Sequence, residues 1–253
     1  MSTADPYFDF LCRMGDNTLI LGHRVSEWCG HSPVLEEDIA LANIALDLIG
    51  QTQMWLGLAA EVEGKGRTAD DLAMLRDVWD FRSALIVEQP NGDFGQTLMR
   101  QFLFDTWHLL MLQGLTKSCE PRVAEIAAKA VKEVMYHVER SGDTVIGLGD
   151  GTEESHTKIQ AALDLMWPYV GELFTPDAVD EAMLAAGIAP DLTEMRKTFE
   201  AQVSAVMAEA TLTIPDSRFA HKGGKSGFQH TEHLGHLLTN MQWLQRAYPG
   251  ANW

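Results

Sequence analysis

The sequence predicts an all-α chain, a long antiparallel helical bundle with additional C-terminal helices. Three observations carry this expectation. Apolar residues recur three and four apart through most of the 253 residues, the pattern of helices that bury one face. The longest such stretches are about 25 residues, or roughly 37 Å at 1.5 Å per residue, which suits a bundle. No segment alternates apolar and polar residues as a half-buried strand would, and there is no internal repeat or low-complexity tract.

Residues 5–29 form the first candidate helix, with Leu11, Leu19, Leu21 and Val25 among its apolar positions. In HSPVLEED, Ser32 is a candidate cap, Pro33 suits a first turn, and Glu36, Glu37 and Asp38 suit the positive end of the dipole. That helix should run to about Gly64, with only Gly50 and Gly57 as weak points. An isolated helical glycine costs about 1 kcal/mol and often marks close packing against a neighbour. Thr68 is the expected cap of a shorter helix over ADDLAMLRDVWDF. VEQPNGDFGQT reads as a loop, since Pro90, Asn91 and Gly92 are turn formers. Asp93 with Gln96 resembles a capping box that opens a helix over 94–117. Pro121 starts another, to about 140. GDGTEES turns the chain, and helix follows to about Leu173. Further helices are expected over 176–187, 191–211 and 231–246, the last with Thr231 as a natural cap. PDSRFAHKGGKSGFQH, residues 215–230, is glycine-rich and basic and reads as a loop. The whole is expected to be one domain, 1–253, with a core bundle over about 5–173 and C-terminal helices and tail over 176–253. An ordered Trp253 would mark docking of the aromatic tail MQWLQRAYPGANW.

Composition narrows the function classes. Apolar residues at 46% can fill a sizeable core, and a net charge of −17 argues against a nucleic-acid binder or an anionic membrane surface as partner. Cys12, Cys29 and Cys119 are few and odd in number, with no CxxC, which fits a reducing cytoplasm better than a disulfide framework or zinc ribbon. MSTADPYFDF lacks a charged-then-apolar leader pattern, and no run of 18 apolar residues exists. Phosphate-loop, dinucleotide and nucleophile-elbow motifs are absent.

Polar residues inside apolar stripes are the informative feature. KEVMYH places Glu133 and His137 four apart, on one helix face, near a stripe of Val123, Ile126, Ala127, Ala130 and Val134. Di-iron bundles present Glu-x-x-His, three apart, and Val134 stands at that position here. LMRQFLFDTWHLLMLQGL carries Asp105 and His108 three apart in a stretch apolar nearly all round. ALANIALDLIGQTQ places Asn43, Asp47 and Gln51 at four-residue intervals. A buried carboxylate needs a partner, water or a proton. The residues alone leave three readings open: a polar network that fixes helix register, a di-iron site, or a single bound metal. A di-iron site needs four carboxylates, and the first helix offers only Asp16, Asn17 and Glu27 as polar candidates. His230, His233 and His236 with Glu232 form a second candidate metal cluster, whose alternative is capping and interface hydrogen bonds.

LGHRVSEWCGHSPVLEEDIALANIALDLIGQ, VEQPNGDFGQT, FDTWH, AKAVKEVMYH, HTEHLGHLL and QRAYPGANW together resemble the PaaC family. These are the ferritin-like, non-catalytic subunits of bacterial phenylacetyl-CoA epoxidases, and the likeness spans nearly the whole chain. The resemblance implies a structural subunit in aerobic phenylacetate catabolism, itself non-catalytic and without a cofactor of its own. Its partners would be a related PaaA-like catalytic subunit holding two irons and a PaaB-like small subunit, with a homodimer possible when isolated. Electrons would reach the complex from NADPH through a flavin and iron–sulfur reductase. It also implies that Leu48, Gln51, Val134 and His137 occupy the positions of two Glu-x-x-His pairs in the catalytic relative, and that Asp105 falls near a third helix's carboxylate. Asp47, Gln51, Asp105, His108, Glu133 and His137 would then be a remnant polar pocket, with Leu48 and Val134 at the lost ligand positions. The rival readings are an autonomous ferritin-like di-iron oxidase or iron-binding protein, and an acyl-CoA-binding module in which Arg218, Lys222 and Lys225 meet phosphates.

Overall fold

The computed structural model describes residues 5–217 and 219–251. Among them there are ten α-helices and no strand. Helix α1 spans Pro6–Ser26, α2 Leu35–Glu63, α3 Ala69–Met74, α4 Leu85–Glu88, α5 Phe94–Leu115, α6 Pro121–Gly149, α7 Glu153–Leu173, α8 Ala178–Ala185, α9 Leu192–Glu209 and α10 Glu232–Ala247, with a 3₁₀ turn at Val78–Asp80 between α3 and α4.

Two helical hairpins, α1–α2 and α5–α6, form the core, and the long crossover over 64–93 joins them as in ferritin-like folds. The first hairpin is antiparallel and very close. Thr18 and Thr52 hydroxyls meet at 2.9 Å, and Gly15 and Gly22, seven residues apart, lie against Leu56 and Ile49. A Cβ at Gly15 would stand 2.5 Å from Leu56. Helix α6 runs antiparallel to α2, pairing Asp47 with His137, Gln51 with Glu133 and Glu61 with Arg122. Helix α5 is apolar nearly all round because α6, α7 and α9 enclose it. Helix α8 lies on α1, and α10 covers α3 and the 3₁₀ turn. No described helix is long and apolar enough to cross a membrane.

Boundaries differ from expectation in specific places. Helix α2 begins at Leu35, with Val34 at its N-cap and no side-chain cap. Ser32 does not cap it; instead the Asp38 carboxylate receives the Gly30 amide and fastens the preceding turn to the helix. Helix α1 stops at Ser26 rather than near 29. The helix over 69–81 is interrupted, because the buried Arg76 side chain turns back to the Leu72 carbonyl and inward to Asp16. Thr68 does cap α3, in a reciprocal box with Asp71. Asp93 caps α5 through the Gln96 amide, but the Gln96 side chain reaches the Pro90 carbonyl instead of closing the box. Helix α6 continues to Gly149, well past 140. Thr231 stands at the N-cap of α10 yet its hydroxyl donates to Glu88. Trp253 lies outside the described residues.

Candidate functional site

The polar residues of α2, α5 and α6 come together between the hairpins, but as three pairs. His137 is fully buried and its Nε2 lies 3.1 Å from Asp47 Oδ2, whose side chain is 37% exposed. Gln51 Nε2 donates to Glu133 Oε2 at 2.9 Å. Within α5, Gln101 Nε2 donates to both Asp105 oxygens at 2.8 Å. Asn43, the outermost of the four-spaced polar residues on α2, is exposed, so that series spirals from surface to interior and does not form one ribbon.

Burial sets the electrostatics. The Asp105 carboxyl is pushed up to about 6 by burial, with His137 and Gln101 pulling it back. The His108 imidazole is pushed down to about 3 by burial and by His137. Neutral His108 packs against Phe104 and Trp107. Both His108 ring nitrogens, His137 Nδ1, Gln51 Oε1, Gln101 Oε1 and the indole nitrogens of Trp55 and Trp107 are buried without a hydrogen-bond partner. Leu48 and Val134, next in sequence to Asp47 and Glu133, are fully buried.

This donor set does not fit a pair of irons. Asp105 and Glu133 are each engaged by a glutamine, and Asp47, 37% exposed, pairs with His137 at the solvent edge. Among the described residues, no group of three or more His, Cys, Asp and Glu side chains is arranged to hold a metal ion. The carboxylates of α1 are committed elsewhere, Asp9 lying 3.8 Å from Arg82. Asp16 is fully buried but bound by Arg76 and by the Arg82 amide. Asn17 accepts from the Ala84 amide, and Glu27 from Arg24 and Asn91.

The histidines near the C-terminus do not converge. His230 Nδ1 lies 2.6 Å from Glu88 Oε1, with both side chains buried. His236 and Glu232 are exposed on α10, and the His233 carbonyl receives Arg24. The basic loop is committed likewise: Lys225 Nζ lies 2.5 Å from Asp180, and the Gly223 and Lys225 amides point to the buried Glu172. Lys222 is exposed, and Arg218 lies outside the described residues.

Sequence reasoning missed the fully buried Glu88, which receives Ser83, His230 and Thr231 and so ties α4 to the start of α10. Its signal was a glutamate inside the apolar run LIVE. It also missed Arg13, which bridges α1 to Asp177 and Asp180 at the head of α8.

Residues 2–253 match the family described as phenylacetic acid catabolic protein, PaaA_PaaC. The chain is similar to the C component of the 1,2-phenylacetyl-CoA epoxidase of Escherichia coli (strain K12), with 46% identity over 244 residues, covering 96% of this chain and 98% of that protein. A family match over essentially the whole chain, joined to the long-helix bundle described above, establishes that this chain belongs to the PaaA_PaaC family of phenylacetic acid catabolic proteins.

Proposed function

We propose that this chain is the supporting, non-catalytic subunit of a phenylacetyl-CoA epoxidase in phenylacetate catabolism. In this reading it binds a homologous di-iron catalytic subunit and leaves the oxygen chemistry to it. The observation that carries the reading is the filling of the bundle centre: Leu48 and Val134 are fully buried where the family resemblance puts iron-binding carboxylates. An apolar side chain offers no donor and no negative charge to offset two cations. Asp47 with His137 and Gln51 with Glu133 hold α2 to α6, while Asp105 is paired within α5 by Gln101. Such a network selects one packing arrangement even where it adds little net stability. The small subunit and the NADPH-dependent reductase belong to the same proposed assembly.

The test is reconstitution. This chain and its catalytic partner are co-expressed and purified, metal is measured on each, and phenylacetyl-CoA epoxidation is assayed with and without this chain. The reading expects a stable complex, iron on the catalytic partner, and turnover that depends on this chain. Full turnover by the catalytic partner alone would remove the supporting role.

A further inference from the structure

A small cavity lies where α1, α5 and α8 meet, away from the pairs at the bundle centre. Phe10, Met111, Leu173 and Leu192 give it apolar walls, and Arg13, Trp107 and Asp180 also line it. The space is about 20 Å³. One water takes up roughly 10–15 Å³ on the same scale, so the cavity has room for a single molecule of that size.

Two N–H groups on this lining have no acceptor among the described residues. The Arg13 guanidinium spends Nη1 and Nη2 on Asp177 and Asp180, which leaves its buried Nε unmatched. The Trp107 indole nitrogen is buried and unmatched as well. Arg13 is 6% and Trp107 5% exposed, so bulk solvent does not serve them. A buried donor left unmade bears its full desolvation penalty, and native folds seldom carry two together. Neither group can turn outward cheaply. Arg13 is pinned by the head of α8, and the Trp107 ring packs on Phe104 and His108 at 5.4 and 6.3 Å. The lining also offers an acceptor, because Asp180 Oδ1 receives Arg13 Nη1 at 3.1 Å and keeps a further lone pair. An anion is not called for. Asp177 and Asp180 already balance Arg13 and Lys225. Two donors and one acceptor around so small a space are the complement of a water molecule, which accepts twice and donates.

We propose that this cavity is a binding site for one structural water, which accepts from Arg13 Nε and Trp107 Nε1 and donates to Asp180 Oδ1. Three hydrogen bonds are the usual complement of a buried water. The molecule acts as a joint between helices. Arg13 by itself links α1 to α8, and the water adds α5 to that link through Trp107. It thereby keys the C-terminal helices to the core at a point where the walls are otherwise apolar.

The test is a crystal structure of the full chain at a resolution that shows ordered water, joined to a cavity-filling variant. The wild type should show one fully occupied water within about 3.2 Å of both nitrogens. Ala84 lines the same cavity and is 1% exposed, so Ala84→Val places two methyl groups there. Methyl groups that displace a bound water strand both donors and should lower Tm by about 2 °C or more. In a dry cavity the same groups would add packing and raise Tm. The loss should shrink in a Trp107→Phe background, where one donor fewer is stranded. A wild-type cavity without that water, a gain in Tm on Ala84→Val, or a loss undiminished by Trp107→Phe would each overturn the proposal. The wild-type structure decides the matter even if a variant fails to fold.

Discussion

Asp105 and His108 show at residue scale what the buried network costs and where pH reveals it. The Asp105 carboxyl is raised from 3.8 to about 6 in the folded chain, so its contribution is fully present below about 4 and is lost as pH rises through about 6. The His108 imidazole is depressed from 6.5 to about 3, so its contribution is present above 6.5 and is lost as pH falls toward 3. Between about pH 4 and 6 the two slopes oppose, each at most about 1.4 kcal/mol per pH unit. We therefore expect Asp105→Asn to steepen the loss of stability on acidification below pH 6, and His108→Leu to reverse the slope in that window. Denaturant unfolding at pH 4, 5 and 6 checks both signs; a pair of variants with the wild-type pH dependence would contradict them. Leu at both positions should leave assembly and epoxidation by the complex largely intact. Loss of epoxidation with assembly preserved would assign the pair a chemical role.

Between elements, buried charges do the joining. Asp16 of α1 and Arg76 after α3 are paired away from water, with the guanidinium also 4.4 Å from the Phe81 ring centroid. Removing one partner strands the other, so Arg76→Leu should cost about 3–5 kcal/mol, while Asp16→Leu with Arg76→Leu should cost far less. A double-mutant cycle by denaturant unfolding measures the difference; equal losses would deny the coupling. Glu88→Gln should loosen the junction of α4 with α10, because His230 and Thr231 both depend on the carboxylate. Limited proteolysis near 215–231 should then accelerate relative to the wild type. These ties also mark the limit of what the sequence conveys. The long helices were legible from periodicity, and the α6 stripe from Val123 to His137 is buried as its spacing implied. Helix α6 outruns its expected end where Gly142 lies against Phe102 of α5 and Val145 is fully buried, tertiary packing that local composition does not announce. Helix α4 has four residues and too little period to detect. Asp47, Gln51, Asp105, His108, Glu133 and His137 stand out as polar residues in apolar stripes, whereas Gln101, which donates to Asp105, does not. Their division into pairs was not legible, because Asp47 with His137 and Gln51 with Glu133 cross from α2 to α6, contacts that spacing along one helix does not encode. Only Gln101 with Asp105, four apart on α5, follows a spacing rule.

At the scale of the whole molecule, the described residues form a ferritin-like helical bundle with Leu48 and Val134 fully buried. Helices α8 and α9 pack directly on helices of the core hairpins, and we propose that the chain is a single domain. We expect one cooperative thermal transition, which calorimetry of the isolated chain would check; two separable transitions would divide the chain.

The most direct measurement of the central claim is iron content together with phenylacetyl-CoA turnover for the isolated chain, after expression and purification with iron supplied. The account predicts well under one iron per chain and no turnover until the catalytic partner is added. Two irons per chain with epoxidation by the isolated chain would contradict it.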